Sequence, residues 1–253
     1  MIRGLYTSAS GLATGQKRLE VVSNNIANVS TNGYRRDKVA VAPFLEHLVG
    51  HSDRGNGHPE QTVIGRMTYG STVDEILPDL RPGLLEQTNN PTDLAITGNG
   101  FFSVQTPDGD TLYTRDGAFR VDQEGYLVTA AGDRVLGSNE LLQPGKDFRV
   151  DTDGGIYSSD GMLVDTILVV QFDDNTELTK VQNNCFALPP GSQPDILPNP
   201  VLAQGYLEKS NVNLVDEMVD LIEVSRTYQI NQRLLRAQDE ILEKAVTQIG
   251  VVK

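Results

Sequence analysis

Three histidines, His47, His51 and His58, stand four and seven residues apart, and such a cluster is first a candidate metal site. Their setting argues otherwise. The run Gly50-His51-Ser52-Asp53-Arg54-Gly55-Asn56-Gly57-His58-Pro59 is a loop signal with no cysteine nearby. Zinc sites fix their ligands on a turn or helix with tight spacing and supporting hydrogen bonds, so solvated loop histidines and no metal are expected. The turns Asp108-Gly109-Asp110 and Asp151-Thr152-Asp153-Gly154 look superficially like calcium loops, but they lack the further ligand positions and the bidentate glutamate. Hairpin chemistry accounts for them. The single cysteine, Cys185, has no internal partner and reads as a structural thiol. No nucleophile elbow, Walker loop or dinucleotide fingerprint occurs, and Thr97-Gly98-Asn99-Gly100-Phe101 runs into a strand pattern rather than a helix. Nothing selects a glycosidase-like carboxylate pair from the many acids. No catalytic residue, no cofactor and no enzymatic activity are expected.

What remains is a question of which elements carry the chain, and the two ends answer it. Ile2, Leu5, Ala9, Leu12, Leu19 and Ile26 fall on the a and d positions of a seven-residue repeat, with Gln16 and Ser23 in the polar gaps. At the far end Leu214, Met218, Leu221, Tyr228, Leu235, Leu242, Val246 and Ile249 do the same, interrupted by Ser225, Gln232 and Asp239. Helices of roughly 30 and 37 residues would run about 45 to 55 Å at about 1.5 Å per residue. Stripes of that length call for partner-dependent coiled-coil packing, with Leu5, Leu12, Leu19, Ile26, Leu221, Tyr228, Leu235 and Leu242 as the packing residues. The other reading is that the ends pack on each other, or on the middle, within a monomer.

Charge supports pairing of the ends. Residues 1–40 carry +4, residues 41–205 carry −15 and residues 206–253 carry −2, within a net charge of −13. The acidic middle argues against nucleic-acid binding, which needs a basic face. No uncharged apolar run reaches the length of a membrane span, so no membrane insertion is expected. The compact apolar block of a cleavable signal peptide is also missing from the amino terminus.

Along the chain, the first stripe dissolves at Val29-Ser30-Thr31-Asn32-Gly33-Tyr34, where caps and positive-φ residues end a helix. Residues 36–80 read as a linker with short strands, including a strand pair around Gln61 to Ile76. From Arg81 to Gly205 short apolar runs alternate with turn residues, and Gly109, Gly117, Gly125 and Gly132 recur at hairpin spacing. A β-meander or barrel-like domain is expected there, with Leu163–Phe172 crossing the centre of its sheet. Phe119-Arg120-Val121-Asp122 is echoed by Phe148-Arg149-Val150-Asp151. Ser210, Asn211 and Asn213 are candidate caps for the last helix. The fold class is thus mainly β with long terminal α-helices, divided as 1–35, 36–80, 81–205 and 206–253, the two ends forming one discontinuous helical region.

Four motifs carry a family resemblance. Ser23-Asn24-Asn25-Ile26-Ala27-Asn28-Val29-Ser30-Thr31-Asn32-Gly33-Tyr34 closely resembles the amino-terminal signature of bacterial flagellar rod and hook proteins, and Ser210 to Met218 with Ile222 to Tyr228 resembles their carboxy-terminal one. Asp93 to Phe102 and Tyr113-Thr114-Arg115-Asp116-Gly117 are similar to the central segment shared by proximal and distal rod proteins. The resemblance implies a structural subunit of the flagellar basal-body rod, in which the terminal helices pair along an inner tube and the β-rich middle faces outward. It implies copies of itself and other axial rod and hook proteins as partners, and passage through the flagellar type III export apparatus without a cleaved signal. The assembly motif it marks comprises Asn24, Asn25, Ala27, Asn28, Gly33, Tyr34, Ser210, Asn211, Val212 and Asn213. The short Val49–Gly70 stretch favours a proximal-rod type over a distal one. The competing class is a β-domain binding module, for instance for a glycan, that the helices merely dimerise.

Overall fold

One turn, used five times, builds much of the β structure. At Thr106–Asp110, Asp122–Tyr126, Thr129–Asp133, Asp151–Gly155 and Ser158–Met162, the first residue's N–H donates to the last residue's carbonyl. The glycine at the fourth position donates back to the first carbonyl, at 2.8 to 3.2 Å, and has φ between 76° and 95° in all five cases. This is a type I turn closed by a left-handed residue, the geometry that glycine supplies without a Cβ penalty. The Asp-Gly pairs and the Phe-Arg-Val-Asp echo are therefore hairpin chemistry. Gly117 is not one of these turns. It lies where the chain crosses the strand Leu94–Thr97, its carbonyl accepting the Leu94 N–H at 3.0 Å.

The computed structural model describes residues 2–43, 46–53, 60–139, 141–145, 147–172, 178–189 and 191–249. It divides into two units, one of Met1–Ile26, Asp37–Leu77 and Leu214–Lys253 and the other of Ala27–Arg36 with Pro78–Asn213. His58 lies outside the described residues, while His47 and His51 lie on a strand instead of in a loop. Among the described residues no group of histidine, cysteine or carboxylate side chains could hold a metal ion, and no helix is long and apolar enough to cross a membrane.

The first unit holds the two long helices, α1 (Ile2–Ala27) and α2 (Leu214–Lys244), the latter followed by a π-helical turn at Ala245–Ile249. Asp216 and Glu217 sit in the first turn of α2 and Lys244 in its last, each on the side the helix dipole favours. Strand Asp37–Pro43 pairs with Ser71–Pro78, and Glu46–Asp53 pairs antiparallel with Glu60–Thr68 across a register shift at Val49/Gly50. The expected strand pair around Gln61 to Ile76 is thus two strands with different partners.

In the second unit the strand Phe101–Gln105 is central. It pairs with Thr111–Thr114 on one side and with Arg134–Val135 and Val169–Gln171 on the other. Both faces are covered. Phe102 and Val104 enter one apolar cluster with Leu94, Phe119, Leu127, Ile156 and Leu202, while Phe101 enters a second with Tyr113, Val170, Phe172 and Phe186. Smaller sheets flank this nine-stranded one: Phe148–Val150 with Gly155–Ser158 and Leu163–Thr166, Leu94–Thr97 with Val201–Gln204, and Leu85–Gln87 with Tyr206–Glu208.

The fold is mainly β with a helix at each end, as expected, but among the described residues there is no closed barrel. The nine-stranded sheet is open, ending at Thr179–Lys180 and Arg120–Val121. Nor does Leu163–Phe172 cross one sheet. Residues 163–166 form the edge of the three-stranded sheet and residues 169–171 join the large one, with Leu163 and Val164 exposed. A continuous apolar run does not reveal that its strand changes sheets midway.

Candidate functional site

The helix pair is built on small residues. A Cβ added at Gly4 would lie 2.8 Å from the Gln238 side chain, at Gly11 2.8 Å from that of Asn231, and at Gly15 3.5 Å from the Tyr228 ring. As the number rises on α1 it falls on α2, so the helices run antiparallel. The series continues to Asn25, whose Nδ2 donates to Glu217 Oε2 at 3.2 Å. Asn25 also grips the start of the adjacent strand, donating to the Asp37 carbonyl (3.0 Å) and accepting the Asp37 N–H (2.9 Å). Asn25 and Glu217 are each 1% exposed. Leu5, Leu12, Leu19, Ile26, Leu221, Tyr228, Leu235 and Leu242 are only half-buried. Gly4, Gly11 and Gly15 were invisible to a heptad count, because a missing side chain adds nothing to an apolar stripe.

In the second unit the two signature segments meet. The Gly33 N–H donates to the Glu208 carbonyl (2.7 Å) and the Asn211 N–H to the Tyr34 carbonyl (3.3 Å). The Asn211 side chain is a staple: Oδ1 accepts the Arg36 N–H at 2.7 Å, and Nδ2 donates to the carbonyls of Asp79 (2.8 Å) and Arg81 (2.9 Å). Asn211 therefore ties strand ends together instead of capping α2. Ser210 Oγ accepts the Val212 N–H (3.3 Å), and Asn213 directly precedes the helix. Gly33 has φ +64°, and a Cβ there would lie 2.4 Å from the Arg115 backbone, so both its conformation and its space demand glycine. Lys180 closes over this segment, its ammonium 3.7 Å from the centre of the Tyr34 ring and 3.0 Å from the Arg35 carbonyl, to which it donates. Asn184 Nδ2 donates to the Asn32 carbonyl at 3.0 Å.

Beneath this lies a charge cluster that the sequence reading missed. Arg35 Nη1 donates to Glu208 Oε1 at 2.5 Å, Arg115 Nη1 lies 3.1 Å from Oε2, and the Gly83 N–H donates to Oε1 at 2.7 Å. All three charged side chains are at most 1% exposed. Arg115 also donates to the carbonyls of Ile96 (3.1 Å) and Gly98. Burial drives the Arg115 guanidinium down to about 10; Glu208 opposes that shift and Arg35 adds to it. Nearby, burial raises the Asp116 carboxyl, against a hydrogen bond from Ala118 and with help from Asp93. Arg115 stands inside the Tyr113–Gly117 motif and Arg35 directly follows Gly33-Tyr34; an arginine next to a turn motif was the available signal.

The assembly-motif residues thus divide between the units. Asn24 and Asn25 lie on α1, Asn24 exposed and Asn25 buried. In the β unit Gly33, Tyr34 and Val212 are buried, Asn28, Ser210 and Asn211 half-buried, and Ala27 and Asn213 exposed. Polar groups fasten the signature backbone to strand ends.

Comparison with known proteins names the class. Residues 5–35 match the model of the flagella basal body rod protein, residues 95–158 that of the flagellar hook protein FlgE/F/G D1 domain, and residues 203–249 that of the flagellar basal body rod FlgEFG protein C-terminal. The chain is 33% identical over 264 residues to the flagellar basal-body rod protein FlgG of Bacillus subtilis (strain 168), covering 97% of this chain and 98% of that one. It is 32% identical over 257 residues to FlgG of Buchnera aphidicola subsp. Acyrthosiphon pisum (strain APS), with 96% and 98% covered. FlgF of Caulobacter vibrioides (strain ATCC 19089 / CIP 103742 / CB 15) is 31% identical over 263 residues, with both chains fully covered. The chain belongs to the flagellar basal-body rod protein family. Arg35, Arg115 and Glu208 come one from each of the three matched segments.

Proposed function

We propose that this chain is a structural subunit of the flagellar basal-body rod that polymerises through its terminal helices into the shaft transmitting torque to the hook. Family membership supports the rod and its basal-body location. The observation that carries the mechanism is that α2 has two apolar stripes. One, with Leu221, Val224, Tyr228, Leu235 and Leu242, is buried or half-buried; the other, with Met218, Val219, Ile222, Ile230, Leu234 and Ile241, is 48 to 58% exposed. Large apolar residues exposed along one side of a helix, here interspersed with Glu223, Arg226 and Arg233, support an interaction surface. Covering it in a polymer would release roughly 25 cal/mol per Å² of apolar surface, against the entropy of ordering the helix ends.

On this reading its partners are copies of itself and the neighbouring rod and hook proteins, and it reaches them through the flagellar export apparatus without a cleaved signal. Because proteins named FlgG and FlgF both align over nearly their whole length, chain length alone does not separate the rod members. Leu234→Asp tests the mechanism. It places a charge on the exposed stripe, and sedimentable polymer should be lost while the near-ultraviolet circular dichroism of the tyrosine-bearing β unit is retained. Polymer formed undiminished by Leu234→Asp would refute assembly through that stripe.

A further inference from the structure

The exposed stripe of α2 has a matching surface elsewhere in the same unit. Between α1 and the strand Ser71–Pro78 runs a groove of about 480 Å³, lined by Ser10, Ala13, Thr14 and Lys17 of α1 and by Ser71 and Val73 of the strand. Apart from Lys17, its α1 wall is made of small side chains, on a flank where the helix hugs the neighbouring backbone. Thr7 Oγ1 donates to the Tyr69 carbonyl at 2.9 Å and Thr14 Oγ1 to the Ser71 carbonyl at 3.1 Å. Small walls beside a strand leave holes that larger side chains fill.

We propose that this groove receives the amino-terminal half of α2 from a second copy of the chain, with Met218, Val219 and Ile222 as the entering side chains. Two features select that occupant. The first is size: Met218, Val219 and Ile222 are 48%, 58% and 53% exposed, and Ile222 neighbours Met218 at i,i+4 and Val219 at i,i+3 on the helix surface. The second is charge. The groove is lined by Lys17, half exposed and paired with Glu20 at 3.0 Å, whereas Asp216, Asp220 and Glu223 flank the entering residues. α1 as a whole has three basic residues against one acid, and α2 has seven acids against four basic residues. Opposite charge in that arrangement sets orientation and register more than affinity.

The consequence is a particular kind of assembly. Groove and stripe are different surfaces of one chain, so the contact is heterologous, and a heterologous contact that does not close into a ring propagates as a filament. A self-complementary α2–α2 contact would stop at a dimer. This inference rests on the helix-assembly reading above and adds to it which surface meets which.

Site-directed cross-linking of the full chain decides it. Cys185 is 2% exposed, so introduced thiols are the accessible ones. Chains carrying Ala13→Cys and chains carrying Ile222→Cys are mixed under polymerising conditions with a short bis-maleimide. The mixture should cross-link roughly 100-fold faster than either variant alone, since seating raises the effective thiol concentration, and the double variant should form a ladder of oligomers. Ile222→Cys linking to itself as fast as to Ala13→Cys overturns the proposal in favour of a closed dimer. Polymer that sediments without the 13–222 link overturns it too. Ile222→Asp separates the two levels: if it abolishes polymer but no 13–222 link forms, only the groove assignment falls. If Ile222→Asp polymerises normally, both the groove and the helix-assembly reading fall.

Discussion

Glu208 is the residue on which the β unit's charge balance turns, because it alone faces both Arg35 and Arg115 within the buried cluster. Removing one member of a buried ion pair leaves an uncompensated charge and destabilises by about 3 to 5 kcal/mol. Glu208→Gln should therefore lower unfolding stability by that amount in urea titration; a change below about 1 kcal/mol would mean the cluster is not held as described. Cys185 offers a pH test. Burial, with Asp133 and Asp116, raises its thiol from 9.0 to about 11 against a hydrogen bond from Thr114. Between those values the unfolded chain binds fewer protons than the folded one, so stability falls as pH rises from about 9 through about 11. Cys185→Ala should flatten part of that decline in thermal unfolding scans across the same window. At this scale the sequence was informative wherever a residue type has one use. Gly33 and Asn211 stood out as motif residues, yet Asn211 reads as a helix cap by type and works as a staple between strand ends. Arg35 and Glu208, which are 173 positions apart, look like ordinary surface charges until the chain brings them together.

The helices show how far periodicity reaches. A seven-residue count found both and ended the first within a few residues of Ala27, since Asn-Gly and its neighbours stop a helix by local chemistry. It did not find the glycines at the helix contact, Gly4, Gly11 and Gly15. Close backbone approach through small residues leaves no hydrophobic signal. Gly11→Leu should consequently force the helices apart: thermal unfolding followed at 222 nm should lose its helical component at lower temperature, by about 1 to 3 kcal/mol of overpacking. An unchanged helical transition would place α2 elsewhere. The β elements were legible through turn chemistry, because a glycine at the fourth position of a hairpin turn has a fixed physical reason. Their arrangement was not. Leu163–Phe172 reads as one strand since hydrophobicity records burial but not which sheet provides it, and sheet closure depends on pairings between residues far apart in sequence.

For the whole molecule, the segments 27–36 and 78–213 form one unit while residues 37–77 leave it to join the helices. A linear reading cannot show such interleaving, because Arg36 and Asp37 are adjacent in sequence and the division falls between them. Within the β unit the segment 27–36 is held by hydrogen bonds from Gly33 and Asn211 and by the Arg35–Glu208 pair, while α2 keeps the large apolar residues of its second stripe exposed. The central claim is that this stripe and its helices become covered when rod subunits polymerise. The most direct measurement is limited proteolysis, with mass-spectrometric mapping of the cuts, on the dilute chain and on sedimented polymer side by side. The account predicts early cuts within residues 2–26 and 214–249 in the dilute chain, a resistant β unit, and strong protection of both helices in the polymer. Helices as readily cleaved in the polymer as in the dilute chain would contradict it.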